Sequence, residues 1–179
     1  MRIAISGTHF SGKSTLVEAL SEALPQYTAV EEPYNQLQEE GYVFAELPSV
    51  EDFELQLERS IENLDESAPN VIFDRCAVDI LGYLLSHTGV EAFDLDDWLP
   101  RVRTAMKKLD LVVFLSIEHP DRIVLPLSQD VEYRQRVDEI LKEIILENPY
   151  GFDVDVLEVA GSLQKRVNRV LSHILPKNV

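Results

Sequence analysis

Short apolar runs alternate along the chain with longer stretches in which apolar residues recur at helical spacing. The short runs predict five strands, at 2–6, 28–31, 71–74, 110–116 and 155–160. The longer stretches predict six helices, at 13–24, 50–66, 77–87, 95–108, 131–147 and 162–175. Helices that lie between strands provide the crossover connections of a parallel sheet. The pattern therefore predicts an α/β fold of three layers, in which a five-stranded parallel sheet lies between two layers of helices.

The composition is typical of one globular domain. The chain has 179 residues, of which 45% are hydrophobic and 27% are charged, and no linker or internal repeat divides residues 1–179. No apolar run approaches the roughly 20 residues that a membrane span needs. The apolar stretch after Met1 is too short for a signal peptide, and Cys76 is the only cysteine, so an internal disulfide is excluded. We therefore expect a single cytoplasmic domain.

The formal net charge of −16 bears on the possible partners. A surface this acidic repels nucleic acid and anionic membranes, so we expect neither as a partner. A small anionic ligand is still compatible with this charge, because a few basic residues can concentrate their field in a cleft. Both a monomer and a homodimer are compatible with the sequence.

Residues 7–14 carry the most specific motif of the chain. They read Gly-Thr-His-Phe-Ser-Gly-Lys-Ser and fit the Walker A pattern G-x-x-x-x-G-K-[ST] without deviation. Backbone N–H groups of such a loop and the positive end of the following helix converge on phosphate oxygens. Lys13 would reach the β- and γ-phosphates of ATP or a similar triphosphate, and the Ser14 hydroxyl would coordinate Mg²⁺. The predicted nucleotide-binding residues of this segment are Gly7, Thr8, His9, Ser11, Gly12, Lys13, Ser14 and Thr15.

Charged side chains stand at the ends of two predicted strands. Asp74 ends the third strand beside the phosphate loop and is predicted to hold Mg²⁺ or its water shell, while Arg75 is placed to clamp an acceptor or a phosphate. Glu31 and Glu32 end the second strand, where a carboxylate can accept the proton of an attacking hydroxyl. Strand side chains alternate, so we expect one of the two glutamates to point inward. Either glutamate is a candidate for the general base.

A polar segment after the fourth strand is predicted to form a lid at about 118–136. Phosphoryl transfer needs positive groups over the transferred phosphate, often on a mobile lid, and Arg122, Arg134 and Arg136 bracket this segment. Arg134 and Arg136 are two residues apart, so on a helix they face different directions. We therefore expect only one of these two catalytic candidates to reach the phosphates at a time.

The turn after the fifth strand is a further candidate for nucleotide contacts. Gly161 and Ser162 open the last predicted helix, and Arg166 lies one turn on. This position at the sheet edge suits a contact to the base or the ribose. Capping of the helix by Ser162 is an alternative role, and the two roles are compatible.

Taken together, these motifs resemble the P-loop nucleoside and nucleotide kinases. The chain is similar in particular to the ATP-binding kinase domains related to nicotinamide ribonucleotide and riboside kinases, with features of the deoxyribonucleoside kinases. The segments that carry the resemblance follow one another in the expected order over nearly the whole chain, at 7–15, 31–33, 73–84, 132–137 and 161–167.

The resemblance implies several features that the residues alone do not give. It implies the sheet order 2-3-1-4-5, a lid after strand 4 and an adenine site near Gly161. In the deoxyribonucleoside kinases the glutamate of a similar Glu-Pro pair is the base, which favours Glu32. Gln56 matches in position a glutamine that reads the base of the acceptor there. The acidic-Arg-Ser motif of that family is matched only in part, by the residues at 74–76.

The predicted function is the ATP-dependent phosphorylation of a small molecule, on a hydroxyl or phosphate of a nucleoside, nucleotide or related metabolite. Two alternatives stay open, namely a kinase for a non-nucleoside acceptor and a regulatory ATPase module without a small-molecule acceptor. The glutamate pair at 31–32 and the arginine-bearing lid favour a kinase. We expect the acceptor to be contacted mostly by residues 33–60 and 76–100.

Overall fold

The computed structural model describes residues 1–66 and 68–175. In these residues five strands form one sheet, in which β1 is Arg2–Ser6, β2 is Thr28–Val30, β3 is Val71–Asp74, β4 is Leu111–Phe114 and β5 is Asp155–Glu158. The strands are all parallel and lie in the order β2-β3-β1-β4-β5. The predicted α/β fold and strand order are therefore confirmed.

In the described residues, seven α-helices connect and cover the strands. They are α1 (Lys13–Ala23), α2 (Pro33–Glu39), α3 (Val50–Glu66), α4 (Ala77–Ser86), α5 (Leu95–Met106), α6 (Val131–Lys142) and α7 (Leu163–Ile174). A 3₁₀ turn at Val90–Ala92 and a π-helical turn at Glu143–Glu147 complete the regular structure. None of the helices in the described part of the chain combines the length and the apolar character that a membrane span requires.

Two parts of the helix assignment differ from the sequence prediction. Helix α2 was not predicted, because its seven residues carry only Leu37 as a buried aliphatic side chain; Pro33 occupies its first turn, where a missing N–H costs nothing. The helix predicted at 131–147 is α-helical only as far as Lys142 and then widens into the π-helical turn. The other predicted elements agree with the structure to within two residues at each end.

The sheet separates two apolar cores, as a three-layer fold requires. Ile3 and Ile5 of β1 pack with α1 and α7 on one face, whereas Ala4 between them faces the core formed with α3 to α6. The same alternation runs along β4, where Val113 and Phe114 belong to opposite cores. Burial on both faces explains why the strands read as continuous apolar runs.

Helices α4 and α6 approach each other closely at Gly82. A Cβ atom built on Gly82 would lie 2.5 Å from Cδ2 of Leu141, a fully buried residue of α6. Helix α4 follows directly on β3, and α6 follows the polar segment after β4. The absence of a side chain at Gly82 thus fixes how close these two helices, both of which reach the site described below, can lie.

We expect Gly82→Ala to destabilise the fold by about 1 kcal/mol, because overpacking of about 1–3 kcal/mol exceeds the gain of about 1 kcal/mol in helix propensity. Leu141→Ala should cost about 2–5 kcal/mol. In the double variant the new methyl occupies space that the leucine vacated, so the total should be less than the sum by about 1 kcal/mol. Guanidinium unfolding of the parent, the two single variants and the double variant measures this coupling. Additive changes in the free energy of unfolding would contradict the proposed contact.

Candidate active site

The loop between β1 and α1 wraps closely around the carboxyl end of the sheet. Gly7 has a φ of 148°, and a Cβ atom there would lie 2.5 Å from the carbonyl oxygen of Leu115. Gly12, with a φ of 88°, is the N-cap of α1. Both positions require glycine, the first because of the close approach and the second because of its left-handed backbone. The Walker A sequence therefore forms the strand–loop–helix unit that its motif predicts.

Four consecutive carbonyl groups of this phosphate loop accept hydrogen bonds from cationic side chains, at Thr8, His9, Phe10 and Ser11. Lys13 Nζ donates to the first at 2.8 Å. Arg134 donates to the next two, from Nε at 3.0 Å and from Nη2 at 2.9 Å. Arg166 Nη1 donates to the fourth at 2.8 Å. The N–H group that follows the Thr8 carbonyl, that of His9, donates to the Tyr83 hydroxyl. Since C=O and N–H of a trans peptide point in opposite directions, the three arginine bonds turn the following N–H groups toward the concave side of the loop.

The structure thus places Arg134 and Arg166 behind the phosphate loop. Arg134, predicted as a lid arginine, is 2% exposed and also forms an ion pair with Asp121 at 2.6 Å. Arg136, two residues on, is exposed on the other side of α6, as the helical spacing predicted. The role of either arginine over a transferred phosphate stays a prediction.

The residues predicted to contact the base or the ribose of a nucleotide lie around Glu118. Its Oε1 accepts hydrogen bonds from the Gly161 N–H at 2.8 Å and from Arg166 Nη2 at 2.9 Å. Ser162 occupies the N-cap position of α7, but its side chain forms no capping hydrogen bond. The structure therefore brings the turn after β5 and the segment after β4 together next to the phosphate loop.

Lys13 is almost completely buried beneath the loop. Burial lowers the pKa of its ammonium group to about 7, and the nearby Arg75 adds to this effect, while Asp79 and Asp74 oppose it. The phosphates of a bound nucleotide would supply negative charge at this position and favour the charged form of the lysine.

Ser14 and Asp74 form a pair of oxygen donors at the start of α1 and the end of β3. The Ser14 hydroxyl donates to Asp74 Oδ2 at 2.6 Å, and Asp74 Oδ1 is buried with no hydrogen-bond partner. Burial raises the pKa of the Asp74 carboxyl, against the opposing effects of the Ser14 bond and of Lys13. Thr15 is exposed next to Ser14 on α1.

This donor set fits Mg²⁺, a hard cation that takes few protein oxygens and completes its octahedron with phosphate oxygens and water. The unpartnered Oδ1 of Asp74 is the observation in favour of it. The described residues contain no cluster of three or more histidine, cysteine, aspartate or glutamate side chains that could enclose a metal by themselves. Residues Ser14 and Asp74 are thus the side chains that would hold the ion, together with the nucleotide.

Asp79 is a site residue that the sequence reasoning missed. It is completely buried, and its two oxygens accept hydrogen bonds from the Ser6 hydroxyl, the Gly7 N–H and the Cys76 N–H at 2.9–3.0 Å. It therefore ties the beginning of the phosphate loop to the beginning of α4. The available signal was an acidic residue three positions after the N-cap Cys76, which is the spacing of a capping box.

The structure separates the two glutamates at the end of β2. Glu31 is exposed and does not line the cavity beside the phosphate loop, whereas Glu32 lines that cavity. Glu32 Oε2 accepts a hydrogen bond from Arg75 Nε at 2.6 Å. Arg75 has a φ of 74° and reaches the Gly7 carbonyl with Nη1 at 3.3 Å. Glu32 and Arg75 therefore connect the cavity with the phosphate loop.

The cavity has a volume of about 430 Å³ and lies between the phosphate loop, α3, α4 and the segment around residue 48. This volume is in the range of small-molecule sites. Gln56 is buried in its wall, with Nε2 donating to the Asp52 carbonyl at 3.1 Å. The other lining residues are His9, Glu32, Tyr34, Leu47, Pro48, Phe53, Arg75, Ile80, Tyr83, His87, Thr88 and Tyr133. Most of them lie in the ranges expected to contact an acceptor.

His9 and Tyr83 join the cavity to the phosphate loop. The His9 N–H donates to the Tyr83 hydroxyl oxygen at 2.8 Å, and His9 Nδ1 lies 3.0 Å from the same oxygen. The rings of His9 and Tyr133 stack with their centroids 6.1 Å apart. Burial lowers the pKa of His9 to about 4, and the charges of Arg75 and Lys13 add to this shift. His9 is therefore uncharged at neutral pH.

Many solved structures resemble the chain over nearly its whole length, and three of them illustrate the likeness. A deoxyadenosine kinase from M. mycoides with bound dATP is 20% identical, with a TM-score of 0.68 over 97% of this chain and 98% of that chain. Thymidylate kinase from Candida albicans is 16% identical, with a TM-score of 0.63 over 97% and 90%. Shikimate kinase from Aquifex aeolicus is 17% identical, with a TM-score of 0.60 over 97% and 96%. At these identities the likeness shows the fold, and the predicted P-loop kinase fold is confirmed.

Among the curated proteins no match is found. A family model described as an AAA domain matches residues 2–166, from the first residue of β1 into α7. This range contains the phosphate loop, Glu32, Asp74, Asp79 and the two arginines, at 134 and 166, that donate hydrogen bonds to the loop carbonyls. Because the match spans nearly the whole chain, the protein belongs to this AAA-domain family.

Proposed function

We propose that the protein is a small-molecule kinase that transfers the γ-phosphate of MgATP to a hydroxyl or phosphate of a nucleoside, nucleotide or related metabolite. The observation that carries the proposal is the 430 Å³ cavity that opens against the phosphate loop and contains the Glu32–Arg75 pair. A module that only hydrolyses ATP needs no cavity for a second ligand beside its phosphate loop. The fold supports the proposal, since the similar solved structures include kinases named for a nucleoside, a nucleotide and shikimate.

In this proposal the nucleotide is held by the loop and positioned for in-line transfer. The inward N–H groups and Lys13 bind the phosphates, and the amino-terminal end of α1 adds its positive dipole. Mg²⁺ at Ser14 and Asp74 would neutralise charge on the phosphates. Arg134 and Arg166 keep the loop in its phosphate-binding shape and place two positive charges behind it.

Glu32 is the proposed general base. It lines the cavity, and Arg75 Nε orients its carboxylate from 2.6 Å. An acceptor hydroxyl in the cavity would donate its proton to Glu32 while its oxygen attacks the γ-phosphorus. Arg75 also reaches the loop carbonyl of Gly7, so it fixes the base relative to the bound phosphates.

We expect Glu32→Gln to reduce phosphate transfer by about 10²–10⁴-fold, the typical contribution of a general base, while MgATP binding persists. Glu31→Gln makes the same change one residue away on an exposed side chain and tests the alternative base. The measurement is the initial rate of transfer to a panel of hydroxyl compounds, with nucleotide affinity by calorimetry. If Glu31→Gln causes the larger loss, the assignment of the base is reversed. Steady ATP hydrolysis with no acceptor at all would instead favour a regulatory ATPase.

The metal assignment gives a separate prediction. Ser14→Ala and Asp74→Asn each remove one oxygen donor, so both should raise the Mg²⁺ concentration needed for half-maximal activity. Binding of the nucleotide without Mg²⁺ should change by less than about threefold, because the loop amides and Lys13 are intact. Titration of activity with Mg²⁺ gives the first quantity and calorimetry in the presence of a chelator gives the second. Titration curves that match the parent would contradict the metal site.

Arg134→Lys tests whether the hydrogen bonds of Arg134 hold the phosphate loop in its shape. Lysine keeps the positive charge but cannot bridge two carbonyls and Asp121 at once, so nucleotide affinity should fall roughly tenfold. Arg136→Lys is the matched variant, since Arg136 is exposed on the same helix. It should bind the nucleotide like the parent. Equal affinities of both variants, measured by calorimetry on proteins with unchanged circular dichroism, would contradict a role of Arg134 in shaping the loop.

A further inference from the structure

The charged side chains that line the cavity balance each other. Glu32 supplies a carboxylate and Arg75 a guanidinium, and they form an ion pair at 2.6 Å. Arg75 is further engaged by the Gly7 carbonyl and by the ring of Tyr83, whose centroid lies 5.1 Å from Cζ. Among the described residues that line the cavity, Arg75 is the only arginine, and no lysine is present. The cavity therefore offers no cation that is not already paired.

The two histidines of the cavity do not offer a free cation. His87 Nδ1 accepts a hydrogen bond from the Gly89 N–H at 2.9 Å, so this nitrogen carries no proton. His87 Nε2 lies 2.9 Å from the Pro48 carbonyl and donates to it. Both nitrogens are thus used within the protein, and neither is free to bind an anion in the cavity. His9 is neutral, since its ring is partly buried beside three cationic side chains that lower its pKa.

Aromatic rings form much of the remaining wall. The rings of Phe53 and Tyr83 are stacked, with centroids 5.8 Å apart and an angle of 18° between their planes. Tyr133 stacks on His9 at the end next to the phosphate loop. Tyr34 also lines the cavity, beside Glu32. Such walls favour a ligand with a flat ring, which can stack on them with little loss of conformational entropy.

A phosphate ester would be disfavoured in this cavity. It would bring one to two negative charges next to the carboxylate of Glu32, where it would lose hydration without gaining an unpaired cation. The net charge of −16 of the whole chain adds to the repulsion. A hydroxyl group meets no such cost, because it can donate a hydrogen bond to Glu32.

We infer that the acceptor is an uncharged compound with a flat ring and a hydroxyl group, and that its phosphate esters are excluded. This inference rests on the proposed kinase function and narrows it to transfer onto an alcohol oxygen. In the reaction the acceptor O–H bond breaks, its proton passes to Glu32, and the new P–O bond forms as the bond between the γ-phosphorus and the bridging oxygen of ATP breaks. The products are a phosphate monoester and ADP.

Matched pairs of acceptors test the inference on the full-length protein. Deoxyadenosine, deoxycytidine, thymidine and guanosine are each offered beside their own 5′-monophosphate, with MgATP, and transfer is measured by product formation. We expect kcat/KM for at least one nucleoside to exceed that of its monophosphate by about 100-fold or more. A monophosphate that is the equal or better acceptor would overturn the inference and leave the kinase function intact. ATP hydrolysis without transfer to any of these compounds would overturn the inference, and the absence of transfer to any other hydroxyl compound as well would overturn the kinase function itself.

A binding experiment tests the charge argument without turnover. Glu32→Gln leaves the Arg75 charge unbalanced, so the affinity for thymidine 5′-monophosphate should rise by about tenfold, whereas the affinity for thymidine should not rise. Glu31→Gln changes the net charge equally but outside the cavity, and should bind the monophosphate like the parent. Calorimetry in the presence of a nonhydrolysable ATP analogue gives the affinities. Equal monophosphate affinity in both variants and the parent would refute the charge balance as the cause of exclusion.

Discussion

The structure depends on which groups donate hydrogen bonds to the carbonyl groups on the outer side of the phosphate loop. A loop that turns its N–H groups toward a ligand must turn its carbonyl groups the other way, into the protein. Arg134 and Arg166 supply donors for three such carbonyls in succession. Charged donors form stronger hydrogen bonds than neutral ones, so the loop is held in its binding shape before any nucleotide arrives. The charges of these two arginines and of Lys13 favour phosphate in a chain that is otherwise strongly acidic.

Helix α4 links this loop to the neighbouring cavity. Its first turn carries Asp79, which binds the Gly7 N–H, and its next turn carries Tyr83, which binds the His9 N–H. The two residues are four apart and therefore lie on one face of the helix. Between them, Gly82 faces α6 and permits the close approach of the helix that supplies Arg134. A single helix thus sets the position of the beginning of the loop and of one wall of the cavity.

The phosphate loop and the strand ends could be predicted from the sequence because short-range rules determine them. The glycine spacing of the Walker A motif and the alternation of buried strands are visible within a few residues. The positions of Ser14, Asp74 and Glu32 follow from being the residues next to a loop or strand end. Helix α2 was missed because seven residues with little apolar periodicity carry too weak a signal.

What the sequence by itself determined was the fold class, the phosphate loop and the set of carboxylates at the carboxyl edge of the sheet. Only the tertiary structure decided the partners of the buried charges. Arg134 lies 125 residues from His9 in the chain, and Arg166 lies 155 residues from Ser11. It also decided that Glu32 and not Glu31 faces the cavity. The physical reason is that a long, flexible cation can satisfy any nearby acceptor, and which acceptor is near depends on how the helices pack against the sheet.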